Sequence, residues 1–217
     1  MRDVYHDQLD SIFDELVSMT HQVEHAVGQA TKALLTADAE VAEKVISDDA
    51  VIDQARERIE DRSFELLALQ QPVAGELRML VAALRMVGEL ERMGDLSVHV
   101  AKVARLRIPE VAVPPQLEPT ISRMATVAEA MVSSVADIIA ERDVVAAREL
   151  EAADDEMDQL RRSSFRLLLG SDWMHGIEPA VDIALLGRYY ERIADHAVSL
   201  ARRVVYLVTG ENPTSDA

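Results

Sequence analysis

The string Glu91-Arg92-Met93-Gly94-Asp95 returns one hundred residues later as Glu191-Arg192-Ile193-Ala194-Asp195. A chain that repeats itself in this way is constrained to fold as two copies of one unit. In both copies an apolar run precedes the string and an Ala/Val-rich run follows it (Leu96 to Ala104, Ala197 to Val205), which places both strings on helices. Glu and Asp four residues apart then share one helix face, where their oxygens can converge. A second pair of segments obeys the same rule: Asp49-Ala50-Val51-Ile52-Asp53-Gln54 recurs as Asp154-Asp155-Glu156-Met157-Asp158-Gln159, at an offset of 105. Two copies are too few for a solenoid. The expected fold is all-α: two tandem three-helix bundles with a pseudo-twofold internal repeat.

Apolar periodicity divides each half into three helices. Leu9, Ile12, Phe13, Leu16, Met19, Val23, Val27, Ala30 and Leu34 form one amphipathic face of a helix from about Val4 to Leu35. Asp38 is the expected N-cap of a second helix running through Val41, Val45, Ile52, Ile59, Leu66 and Leu69 and ending at Gln70-Gln71-Pro72. Pro72 suits the first turn of a third helix reaching about Arg107. Ile108 to Pro115 holds three prolines in eight residues and cannot continue it. The pattern restarts with helices from about Leu117 to Ala140, Asp143 to Leu169 and Gly176 to Thr209, and Gly210 stops the last. The expected organisation is a first bundle over 1–107, a Pro-rich linker over 108–115, a second bundle over 116–210 and a disordered tail over 211–217. Only 4% of residues are aromatic, and Ala, Leu, Val, Glu and Arg dominate, which favours helix over sheet.

With 39 acidic against 22 basic residues the net charge is −17, so nucleic acid and anionic lipid are repelled, and cations or basic protein surfaces are the better partners. Without cysteine there is no thiolate nucleophile, and any metal must be held by oxygen or imidazole. The polar N-terminus lacks the apolar segment of a secretory signal, and no apolar run reaches the length of a membrane span. The expected location is cytoplasmic, without direct membrane insertion.

Heptad steps give the rows Leu77, Leu84, Glu91, Val98 and Ile177, Ala184, Glu191, Val198, in which the glutamates interrupt apolar positions. Asp49 falls between Val45 and Ile52, and Asp154 between Leu150 and Met157. A carboxylate at such a place must be exposed, protonated, paired or metal-bound. One reading makes these edge positions paired with Arg56, Arg92, Arg161 or Arg192. The other gathers Asp49, Asp53, Glu91 and Asp95 into one cluster, and Asp154, Asp158, Glu191 and Asp195 into a second, with no evident neutraliser. Such oxygen-only sets suit hard cations: magnesium, manganese, calcium or ferric iron. No Glu-x-x-His pair of a di-iron bundle is present. His99 and His196 are expected to face solvent or to support the clusters from behind, and His21 and His25 to lie on the surface. Met79, Met86 and Met93 are expected to fill core, and the Arg pairs 161–162 and 202–203 to lie on solvated faces. Phosphate-loop, nucleophile-elbow and dinucleotide fingerprints are missing.

The four acidic pairs, with Leu66 to Arg78 and Gly187 to Ala197, resemble the duplicated Glu/Asp-x-x-x-Asp pattern of the PhoU family over nearly the full length. That resemblance implies multinuclear metal clusters, iron or zinc, held by Asp49, Asp53, Glu91, Asp95, Asp154, Asp158, Glu191 and Asp195, and no catalytic turnover. It implies a negative regulator of phosphate uptake and of the phosphate-starvation response, an adaptor between the phosphate ABC transporter's ATPase and a sensor histidine kinase. A homodimer, recruited to the inner membrane face by its partners, is expected. Two alternatives stand beside it: a carboxylate-bridged metal-handling or oxidase bundle, and a metal-free structural adaptor.

Overall fold

The computed structural model describes residues 2–70 and 72–211, with side chains except those of residues 2–4, 70 and 151–154. Six helices follow in order: α1 (Arg2–Thr36), α2 (Ala39–Gln70), α3 (Gly75–Arg107), α4 (Glu118–Glu141), α5 (Val144–Leu168) and α6 (Ile177–Thr209). There is no strand among the described residues, and the two three-helix units of the repeat are both present.

The same local chemistry starts the second helix of each unit. Ala37 and Arg142 turn the chain at φ 52° and 53°. The next residue, Asp38 or Asp143, accepts a hydrogen bond from the backbone of the coming helix, at 3.0 Å from the Val41 amide and 2.8 Å from that of Val145. Each cap satisfies an amide with no partner inside the helix. The third helix begins at Gly75, not at Pro72 as the sequence suggests. Ala74 sits at φ 46°, outside the helical range, and the Glu76 amide closes a turn on the Val73 carbonyl at 3.1 Å.

Outer helix α2 packs on α1 and α3, and α5 on α4 and α6, while α1 lies against α4 and α3 against α6. Four helices thus form a central layer with α2 and α5 on opposite flanks. The crossings are antiparallel: Arg107 at the end of α3 holds Asp182 and Glu178 near the start of α6, at 2.6 and 2.8 Å. Arg142 just past α4 reaches Asp10 in the early part of α1, at 2.9 Å. Buried side chains form one continuous core through both units, from Ile12, Leu16 and Met19 to Leu186, Ile193 and Leu200. Each such large side chain contributes roughly 1.5–3 kcal/mol by leaving water. Met86 and Met93 are fully buried, as core-filling residues should be. Small residues of α3 and α6, among them Ala83, Ala101, Ala194 and Ala201, are buried in that core. Ala112 and Val113 are buried, so the Pro-rich connection packs into the body.

Candidate functional site

The first acidic set straddles the seam between α2 and α3. Gly94 makes the seam tight: a β-carbon there would meet the Ile52 side chain at 3.1 Å and an Asp49 carboxylate oxygen at 3.5 Å. Asp49 is half-buried, while Asp53 and Asp95 are exposed. The Asp49 carboxyl is pushed up to about 6, first by burial and then by the charges of Asp95, Asp53 and Glu91. Glu91 is raised by burial and by Asp95. Asp49 and Glu91 both feel the charges of Asp95 and Asp53. None of the four makes an ion pair among the described residues; Lys102 and Arg56 act on Asp49 and Glu91 only through their fields.

The second set differs. Glu191 is buried and accepts from Arg161 of α5 at 2.8 Å and from Arg188 of α6 at 2.6 Å. Asp158 pairs with Arg162 at 2.9 Å. Asp195 is exposed, its carboxyl raised first by burial and then by Glu191. The expectation of a second unneutralised cluster is corrected: two guanidiniums occupy Glu191, and a third occupies Asp158. Arg161 reaches across the helix pair instead of lying on a solvated face. The repeat explains the asymmetry, because the position equivalent to Arg188 is Gly88. The Asp154 side chain lies outside the described residues.

Oxygen-only donors without an ion-pair partner fit a hard cation at Asp49, Asp53, Glu91 and Asp95. Among the described residues no three His, Asp or Glu side chains are close enough to hold an ion as placed. In the second set arginines hold Glu191 and Asp158, and among the described side chains only Asp195 is left without an ion pair.

Two further features escape sequence reasoning. A cleft of about 480 Å³ opens between α1 and α2, lined by His21, His25, Gln22, Lys44, Asp48 and Asp49 among apolar residues. Its repeat counterpart between α4 and α5 is smaller, about 180 Å³, and is lined by Arg123 and Glu156, which pair at 2.6 Å. His196, expected to face solvent or to support a cluster, is instead buried and joined through Nδ1 to Glu89 of α3 at 2.6 Å. Only the α3–α6 crossing brings these two residues together.

A duplicated six-helix bundle, with paired acidic motifs on its outer seams, defines a class of duplicated helical-bundle proteins. The chain belongs to the PhoU family: the PhoU domain model matches residues 16–104 and 121–204. It is 44% identical to the phosphate-specific transport system accessory protein PhoU homolog 2 of Mycobacterium tuberculosis, over 98% of this chain and all of that one. It is 33% identical to the PhoU homolog of Aquifex aeolicus, over 94% of this chain and 92% of that one. The crystal structure of PhoU from Pseudomonas aeruginosa superposes with a TM-score of 0.89 at 29% identity, covering 95% of this chain and all of that one. PhoU from Streptococcus pneumoniae, 24% identical, shares the fold with a TM-score of 0.87 over 96% of this chain and 98% of that one. Members of this family are accessory and regulatory proteins, and this chain is not an enzyme. No described helix is long and apolar enough to cross a membrane.

Proposed function

We propose that this chain is the accessory protein of a phosphate-specific transport system, restraining uptake and the phosphate-starvation response by contact with the transporter ATPase and a sensor histidine kinase. The observation that carries the reading is its full-length identity of 44% with a relative named as a phosphate-specific transport system accessory protein. The net charge of −17 suits basic partner surfaces, and the electrostatic field favours a fast encounter. Cations at Asp49, Asp53, Glu91 and Asp95 would tie α2 to α3 and present positive charge toward acidic or phosphorylated partner groups. Such an ion would lend charge and a cross-link between the two helices.

Deleting the chain's gene should derepress a phosphate-starvation reporter in phosphate-replete cells, and affinity capture from such cells should recover the ATPase or the kinase. A reporter unmoved by the deletion, with neither partner captured, contradicts the reading.

A further inference from the structure

The repeat inverts charge between the outer faces of its two flanking helices. The offset of 105 pairs Glu57 of α2 with Arg162 of α5, Asp61 with Arg166, and Phe64 with Leu169. Spaced by four and then three residues, the three positions share one face in each helix. Residues 53–65 hold five acids and three arginines, whereas the equivalent residues 158–170 hold one acid and three arginines, so the net charges are −2 and +2. Glu57 and Asp61 are exposed and make no ion pair among the described residues. Arg166 is exposed and likewise makes none, while Arg162 is 68% exposed and holds only Asp158 of its own helix. Beside each charged pair stands bare apolar surface: Phe64 is 57% exposed and Leu169 84%. One flank therefore carries an acidic strip, and the other carries its basic counterpart at the same spacing.

We propose that α2 of one copy of this chain docks on α5 of a second copy, with Glu57 and Asp61 facing Arg162 and Arg166. Run parallel, the two helices bring both charged pairs into register and set Phe64 against Leu169 in the same contact. Run antiparallel, they leave those two apolar side chains at opposite ends. Like faces repel: α2 on α2 sets acid against acid, and α5 on α5 sets arginine against arginine. Because α2 and α5 lie on opposite flanks of the central layer, one neighbour cannot cover both. The contact is head-to-tail, and a pair of copies still has a free α2 at one end and a free α5 at the other. Assembly therefore passes beyond two copies. The net charge of −17 opposes it at long range, but that field is screened over about 8 Å at physiological salt, and the facing side chains meet at contact. Exposed ion pairs are individually weak, so the association is of low affinity.

Sedimentation equilibrium of the full chain tests the contact, in EDTA so that no cation bridges the acidic seams. At about 0.15 M salt and up to about 500 µM chain, the weight-average mass is expected to climb past twice the monomer without levelling. Arg162→Glu with Arg166→Glu, and separately Glu57→Arg with Asp61→Arg, should each weaken association by at least about tenfold. All four side chains lie at the surface, so both variants should keep the helical circular-dichroism signal. Mixed in equal amounts, the two swapped chains should regain the original association, since each presents the face the other has lost. A folding defect cannot produce that rescue. A chain that stays monomeric over the whole range, swapped chains that associate as the original does, a mixture that stays apart, or a mass that levels at twice the monomer would overturn the proposal.

Discussion

Arg188 lies 2.6 Å from Glu191, three residues further along α6, while α3 carries Gly88 three residues before Glu91. Two replacements between the repeats, Gly88 for Arg188 and Glu57 for Arg162, thus separate the open acidic seam from the sealed one. Arg161→Ala should destabilise the chain by about 2 kcal/mol, because it strips an interhelix partner from a buried carboxylate. Its repeat equivalent Arg56 makes only a loose pair with Glu60 at 3.9 Å, so Arg56→Ala should cost no more than about 0.5 kcal/mol. Urea unfolding of the two variants gives the comparison, and equal losses would refute the asymmetry.

The open seam makes stability depend on pH. The Asp49 carboxyl stands at about 6 in the folded chain, above the ordinary value near 4 of the unfolded one. Proton binding therefore favours the folded state: the contribution is complete below about pH 4 and is lost as pH rises through about 6. Asp49→Asn should raise stability at pH 7 by on the order of 1 kcal/mol, allowing for solvent screening at a half-buried site, and change little at pH 4. Thermal melts in EDTA at the two pH values decide it; an equal gain at both would point to packing instead of charge.

Cations should stabilise the folded seam as protons do, in competition with them. Manganese or zinc at about a hundred times its dissociation constant adds about 2.7 kcal/mol to the folded state. Melting temperatures of EDTA-treated chain should rise with the metal, more at pH 7 than at pH 5 because the ion displaces the Asp49 proton. Asp49→Asn and Asp95→Asn should remove most of the rise, and Asp158→Asn, whose carboxylate is held by Arg162, should remove little. Loss of the rise in the Asp158 variant alone would place the ion in the other half.

Thr31 of α1 and Tyr190 of α6 share a buried hydrogen bond of 2.9 Å between the halves. The Thr31 hydroxyl also bonds the Val27 carbonyl at 2.9 Å, so Tyr190→Phe leaves it satisfied. A double-mutant cycle of Thr31→Val and Tyr190→Phe should give a coupling of about 1 kcal/mol. Zero coupling would mean that this hydrogen bond adds nothing to the apolar packing and the Arg107 and Arg142 ion pairs that also join the halves.

Local chemistry was readable along the chain: the cap at Asp38, the apolar faces and the acidic pairs all rest on spacing within one helix. Helix rotation decided the rest. A heptad row drifts by about 20° per repeat around a straight helix, so Ile177 begins its row in solvent and Val198 ends it in the core. Arg161–Glu191 and His196–Glu89 join residues on different helices, and no spacing along one helix specifies which faces meet. The charge difference between the seams was present in the string all along, as Gly88 against Arg188, but only a folded Glu191 shows what that arginine does.

Because α2 and α5 touch only their own halves, each can swing away from the central layer without unfolding the other. The two latches are unequal. Arg161 and Glu191 fasten α5, whereas mutual repulsion among Asp49, Asp53, Glu91 and Asp95 loosens α2. Amide exchange should therefore run ahead in the stretch of α2 around Asp49 and Asp53, away from the Arg62–Glu15 pair that ties the helix to α1. A ligand that quiets those four charges would work as its clasp.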